Sequence, residues 1–314
     1  MNNHDQISNV YFSIDYLPNA INTVSKVFED RVPWLREENE QWHEEFVSQP
    51  GDMKPDVEET TIDMIRAWPS ARYHFVMDCL FSTLTLGISD EQLKMYKLAI
   101  PQDRTYDFKK QWIFLLYPFL TERNLVNIGP SKRFFKKIIK ARHQWPRIAN
   151  NQKVLSLANK KISNNLNLQE STCRLDRMTL IKRCHSRQLR NWPVVHTLCK
   201  TFCDKHDLKL EVFDDSKPLG TVVEQVKKFH HSKIVIGCHG AAFSNLIGCT
   251  SATTLIEFIQ TDRTPGGGTV QTQDSNEFGT MSRHLGMNYH KINKTNGVVE
   301  IDRVNKLLSN IRNV

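Results

Sequence analysis

IVIGCHGAAFSNLIG, residues 234–248, is an apolar run that stops on a histidine and a glycine and continues in small residues where a core would want bulk. Ile234–Cys238 reads as a buried strand, short and β-branched. In an open parallel sheet, ligands bind beyond the carboxyl ends of strands, where the chain enters the next helix with its first amides unbonded. His239, Gly240, Ala241 and Ala242 occupy that junction. Glycine and alanine let a diphosphate approach the amides, the positive end of the helix favours its charge, and His239 adds a donor. Ser244 and Asn245, one turn on, are placed to meet further polar atoms. Small residues also permit tight packing of helix on strand, and the stretch alone leaves both readings open. It contains neither G-x-G-x-x-G nor a Walker lysine, so neither a dinucleotide dehydrogenase nor a P-loop enzyme is indicated.

Outward from this stretch the pattern is regular. MTLIK (178–182), LKLEVF (208–213), IVIGC (234–238) and TTLIEFI (253–259) read as strands, separated by helical segments in PVVHTLCKTFCDKH (193–206) and VVEQVKKFHH (222–231). Strands alternating with helices imply right-handed crossovers and a parallel, doubly wound sheet. Thr221 and Glu224 fit a capping box that starts the second helix, with Val222, Val223, Val226 and Phe229 on its buried face. Upstream, residues 150–175 turn polar and rich in asparagine, which places a connection there around one helix, KVLSLANKK (153–161). The expected organisation is therefore a first domain over 1–170, a second over 171–295, and an amphipathic helix over 296–314 that packs back on the first domain. The first half reads as mixed and helix-rich. Within it SKRFFKKIIKARH (131–143) spaces Phe134, Phe135, Ile138 and Ile139 as a surface helix with a basic face.

Two further groups carry chemistry. Arg183 and Arg187, in LIKRCHSRQLRNW (180–192), follow the strand MTLIK, where guanidinium forks suit phosphate oxygens and Asn191 is placed to fix the loop. Arginines in a loop are also commonly solvated; two phosphate-competent groups on strand ends of one sheet, facing one crevice, favour the functional reading. His74 and Asp78 stand four apart on one helical face, either as a carboxylate base steadied by an imidazole or as an ion pair. His196, Cys199, Cys203 and His206 also share a helical face, but one straight helix cannot wrap four ligands tetrahedrally around zinc. Asp214 and Asp215 are adjacent and read as a turn with diverging side chains, and no D-x-D element is present. TPGGGTVQTQD (264–274) reads either as a flap over the site or as a flexible connection.

Composition bounds the function. With 314 residues and 39% hydrophobic content the chain can bury one large core or two ordinary ones. A formal charge of +8 suits an anionic partner, yet no zinc-finger, RNA-recognition or helix-turn-helix signature accompanies it, which argues against nucleic acid. Seven scattered cysteines suggest reduced thiols rather than a disulfide framework. The polar, acidic start and the lack of a long apolar run lead to an expectation of a cytoplasmic protein with no membrane insertion.

The order YHFVMD (73–78), LIKRCHSRQLRN (180–191), EQVKKFHHSKIVIGCHGAAFSNLI (224–247) and TTLIEFI resembles glycosyltransferase family 61, which includes plant xylosyl- and arabinosyltransferases and animal protein O-linked N-acetylglucosaminyltransferases. The G-x-H-G-A-x-x-x-N element is matched by Gly237, His239, Gly240, Ala241 and Asn245, the following strand glutamate by Glu257, the arginine pattern by Arg183, Arg187 and Asn191, and the H-x-x-x-D element by His74 and Asp78. The acidic residue that commonly follows the asparagine is Trp192 here. The resemblance implies an α/β fold of GT-B type, two Rossmann-like domains facing across a cleft, and an inverting transfer. In that scheme Asp78 is the base, and the arginines, His239 and the helix amides hold the departing UDP. Glu257 would either accept ribose hydroxyls or serve a structural role at the strand end. Without a D-x-D element, metal independence is expected, with cationic side chains in the ion's place; no cofactor is expected beyond the UDP-sugar substrate, and the expected acceptor is a glycan or glycoprotein. UDP-xylose is the favoured donor, by family frequency, with UDP-N-acetylglucosamine second. The expected lack of an anchor departs from the Golgi and endoplasmic-reticulum members and points to a microbial or viral pathway. A silent nucleotide-sugar-binding module and a nucleic-acid-binding protein stand as alternatives.

Overall fold

The computed structural model describes residues 4–13, 57–64, 72–128, 134–141, 151–185, 187–260 and 277–311. The chain divides into two compact units, Met1–Ile148 and Ala149–Val314.

The first unit is built on a five-stranded sheet, β1 (His4–Ser13), β2 (Thr61–Asp63), β3 (Lys97–Pro101), β4 (Leu125–Ile128) and β5 (Phe134–Ala141), in the spatial order β1-β5-β2-β3-β4. Strands β5, β2, β3 and β4 run parallel, and β1 is antiparallel to β5. Among the described residues its helical segments include α1, which begins at Arg72–His74 and continues through Phe75–Leu80 and Phe81–Thr85, α2 (Asp90–Lys94) and α3 (Tyr106–Leu116). Phe75, Phe81, Trp112, Ile113 and Leu116 of α1 and α3 are buried with Ile62, Leu98 and Ile100 of the sheet. The basic segment expected as a surface helix is the strand β5 instead. Its Phe and Ile residues favour strands as readily as an amphipathic helix, and pairing with both β1 and β2 decides between the two.

The second unit carries α4 (Gln152–Asn165), β6 (Arg177–Lys182), α5 (Trp192–Lys205), β7 (Lys209–Asp214), α6 (Val222–His230), β8 (Ser232–Cys238), a 3-10 turn over Ala241–Gly248, β9 (Thr254–Gln260), α7 (Glu277–His284), β10 (Asn288–Thr295), β11 (Val298–Val299) and α8 (Ile301–Ile311). Its sheet has the order β11-β10-β9-β8-β6-β7, parallel except for β11. Counted from β6, the parallel strands run 2-1-3-4-5, the doubly wound order whose direction of winding reverses between β6 and β8. The capping box of Thr221 and Glu224 starts α6 as the sequence predicts.

Strand alternation sorts the side chains. Met178, Leu180, Ile234, Ile236, Ile256 and Phe258 form one core with Val195, Cys199 and Cys203 of α5 and Val304, Leu308 and Ile311 of α8. The C-terminal helix, expected to return to the first domain, thus completes the second unit: its apolar stripe lies in that unit's core, against α5. Helix α4, expected in the connection, also belongs to the second unit. Val154, Leu155, Ala158 and Ile162 are buried, and Asn159 Nδ2 donates to the Ile247 carbonyl at 2.6 Å. The glycine-rich segment 264–274 lies outside the described residues. Among the described residues, no helix is long and apolar enough to cross a membrane.

Candidate functional site

The reversal between β6 and β8 puts the residues that follow them side by side. Arg183 comes directly after β6 and His239 directly after β8. Arg183 Nη1 donates to the His239 carbonyl at 3.3 Å, and Arg187 Nη1 donates to the same oxygen at 3.4 Å. Two guanidinium groups therefore converge on one neutral acceptor. In the adjoining 3-10 turn the first intrahelical bond runs from Phe243 N to Gly240 O, which leaves the amides at its start outside that ladder. Ala241 and Ala242 are half-buried, whereas Phe243–Gly248 are all buried.

Close approach explains the glycine. A Cβ on Gly240 would lie 1.5 Å from Arg183 Nη1. Its φ of 164° is ordinary extended backbone, so the requirement is space and not conformation. Gly237 meets a similar limit in the sheet, since a Cβ there would come within 2.6 Å of Ile181 Cβ.

Supports hold both arginines. Asp215 Oδ2 stands 3.2 Å from Arg183 Nε. Arg187 has a left-handed φ of 57°, and its carbonyl accepts from Lys294 Nζ at 2.8 Å. Lys294 reaches there from β10 as one of the largest fully buried side chains. Asn191 is spent on the loop: its Nδ2 donates to the Val299 carbonyl at 2.8 Å and its Oδ1 accepts from the Val299 amide at 3.3 Å. Asn245 is likewise buried, its Nδ2 donating to the Ala242 carbonyl at 3.0 Å. Ser244 Oγ and Asn245 Oδ1 are buried without hydrogen-bond partners.

Below the loop lies a histidine with a carboxylate. His239 Nδ1 stands 2.6 Å from Glu257 Oε1, and Tyr289 donates its hydroxyl to Glu257 Oε2 at 2.8 Å. The Phe278 ring of α7 packs on the imidazole at 4.8 Å between centroids. Burial holds the His239 imidazole below its ordinary pKa; Glu257 opposes that shift, and Arg187 and Arg183 reinforce it.

Asp214 and Asp215 do not diverge. Both carboxylates turn toward the end of β6 and, with Cys184, form the one group of possible metal ligands found among the described residues. Their charge is already matched, because Lys182 Nζ stands 2.9 Å from Asp214 and Asp215 holds Arg183. Hydrogen bonds, chiefly from the Ser216 hydroxyl, keep Asp214 well below the usual carboxylate range. The cysteines of α5 are core residues, and burial pushes the Cys199 and Cys203 thiols up to about 12 and about 11. Protonated thiols make poor metal ligands.

In the first unit His74 Nδ1 stands 2.6 Å from Asp78 Oδ2. Asp78 belongs to Phe75–Leu80, where α1 widens to π-helical winding, a feature frequent at functional sites. Every other residue of that stretch is buried, while the His74 and Asp78 side chains keep 22% and 13% of their surface. The only polar pair on an otherwise buried segment is thus also its opening to solvent.

The structure therefore brings together Arg183, Arg187, His239, Gly240 and Glu257, and directs Asn191 and Asn245 to backbone contacts. Sequence reasoning missed Asp215, Lys294 and Tyr289. Lys294 had a faint signal, a lysine two residues beyond the core residue Ile292 in one strand. Tyr289 had none. In comparison with known proteins, the family model described as glycosyltransferase 61 matches residues 73–256, a span that contains His74, Asp78, Arg183, Arg187, His239 and Gly240. Among curated proteins no match is found.

Proposed function

Because the chain belongs to the glycosyltransferase 61 family, we propose that it moves a sugar from a UDP-sugar to a hydroxyl of a glycan or glycoprotein acceptor with inversion at the anomeric carbon. The observation that carries this proposal is the convergence of Arg183 and Arg187 on the His239 carbonyl at the winding reversal of the second sheet. Two cations beside unbonded amides form a place for a diphosphate, and guanidinium forks match its oxygens.

The roles follow from charge. As the acceptor oxygen attacks the anomeric carbon, the bond from that carbon to the UDP oxygen breaks, and negative charge grows on the leaving diphosphate. Arg183, Arg187 and the amides that follow Gly240 stabilise that charge. Asp78 takes the acceptor proton, and His74, bonded to one of its oxygens, fixes the carboxylate. The two parallel-sheet units serve as the halves of a GT-B enzyme, with the donor on the second and the base on the first. No metal is required in this scheme, since cationic side chains do the ion's work. UDP-xylose is the preferred donor and UDP-N-acetylglucosamine the second, on the frequency of donors in the family.

Calorimetric titration with UDP, UDP-xylose, UDP-N-acetylglucosamine and UDP-glucose tests this. Micromolar UDP binding with a clear sugar preference is expected, followed by turnover with a hydroxyl acceptor. Absence of UDP binding would remove the donor assignment, and binding without turnover would leave a silent nucleotide-sugar module.

A further inference from the structure

Glu257 offers a ligand almost nothing directly. Its residue is 1% exposed, and both carboxylate oxygens are engaged, Oε1 with His239 Nδ1 at 2.6 Å and Oε2 with the Tyr289 hydroxyl at 2.8 Å. A ribose hydroxyl could gain that carboxylate only by displacing one of these partners. Register explains the arrangement. Glu257 of β9 is the Cα partner of Gly237 of β8, which brings no side chain to compete, and His239 lies two residues further along the same face. Tyr289 of β10 is on that face too, since Ile292 of the same strand points into the opposite core.

We propose that Glu257 is a positioning residue that acts on the donor only through His239, with Tyr289 holding the carboxylate in place; this rests on the reading of the second unit as a nucleoside diphosphate site. A carboxylate accepting from Nδ1 fixes the proton on that nitrogen and leaves Nε2 as the group free to meet a ligand. Burial, Arg183 and Arg187 favour the neutral ring, while Glu257 favours the charged one. Lys294 of β10 adds a buried cation beneath the Arg187 loop, Arg283 of α7 is close enough to act on the Tyr289 hydroxyl, and Phe278 of α7 packs its ring on the imidazole. A bound diphosphate offsets the arginine charge. His239 then takes up a proton and donates from Nε2 to a phosphate oxygen. Binding of UDP is thereby coupled to proton uptake, and it tightens as pH falls toward 6.

The test uses the full chain as wild type, Glu257→Gln, His239→Ala, the double variant and Tyr289→Phe. In the unliganded protein, nitrogen NMR of the imidazole should show the His239 proton on Nδ1; Glu257→Gln should redistribute it between the two nitrogens, and Tyr289→Phe should do so in part. An unchanged His239 spectrum in Glu257→Gln overturns the proposal even if no UDP binds, a result that would separately remove the donor assignment. With UDP, Glu257→Gln should weaken binding about tenfold, the scale of a hydrogen bond to a charged group, flatten its pH dependence, and cost nothing more once His239 is alanine. The same tenfold loss should persist with 2′-deoxy- and 3′-deoxy-UDP. A loss that vanishes with either deoxy analogue, or that adds in full to His239→Ala, identifies Glu257 as a ribose ligand and overturns the proposal.

Discussion

Replacing Gly240 with alanine probes the proposed diphosphate site without replacing a charged group. The new Cβ would stand 1.5 Å from Arg183 Nη1, where carbon and nitrogen need about 3.5 Å, so the guanidinium must retreat by about 2 Å. That retreat breaks its 3.3 Å bond to the His239 carbonyl and disturbs the 3.2 Å contact with Asp215. The backbone itself accepts alanine, because φ at Gly240 is extended. Stability should therefore fall by less than about 1 kcal/mol, the worth of a partly exposed ion pair. UDP affinity should fall by about 1.5–3 kcal/mol, or roughly 10–100-fold, if Arg183 makes a charge-assisted bond to the diphosphate. Calorimetry for UDP beside a thermal melt separates the two quantities. A Gly240→Ala protein that melts normally and binds UDP as the wild type does would refute the placement of the diphosphate against Arg183.

Three other outcomes are expected. Asp78→Asn should lower transfer by about 10²–10⁴-fold while UDP affinity is unchanged, the scale of general base catalysis; a variant that transfers normally removes Asp78 as the base. Transfer should persist in excess chelator, since Lys182 and Arg183 already match the carboxylates of Asp214 and Asp215; activity that disappears with chelator and returns with manganese would contradict metal independence. Burial holds His230 and His239 below the ordinary imidazole pKa, so on acidification the unfolded chain takes up protons that the folded one refuses. Stability should be full above the ordinary value near 6.5 and decline as pH falls through it, and denaturant unfolding at pH 7 and pH 5 should show a smaller free energy at pH 5. Equal values would mean that these histidines are not buried in their neutral form.

Much of the candidate site in the second unit was legible because its information is local. Ile234–Cys238 followed by His239 and Gly240 announces a strand end and a close approach, and Arg183 stands directly after a second strand end. The capping box at Thr221 was equally local. Segments whose assignment depends on partners far along the chain were harder to read. The run 134–141 is a strand because β1 and β2 pair with it, and α4 belongs to the second unit because Asn159 meets Ile247. Asp214 and Asp215 converge because Lys182, Arg183 and Cys184 wait for them at the end of β6.

By itself, the sequence determined the alternation of strands and helices in the second half and the pairing of His74 with Asp78. Each of these depends on neighbours within a few residues, where period and side-chain size act directly. Only tertiary structure decided that the strand order reverses between β6 and β8, that the C-terminal helix closes the second unit, and that Glu257 turns inward to His239 and Tyr289. Those outcomes depend on which strands lie side by side. Strand order is set by the packing of all the helices at once, and no short stretch of the chain records it.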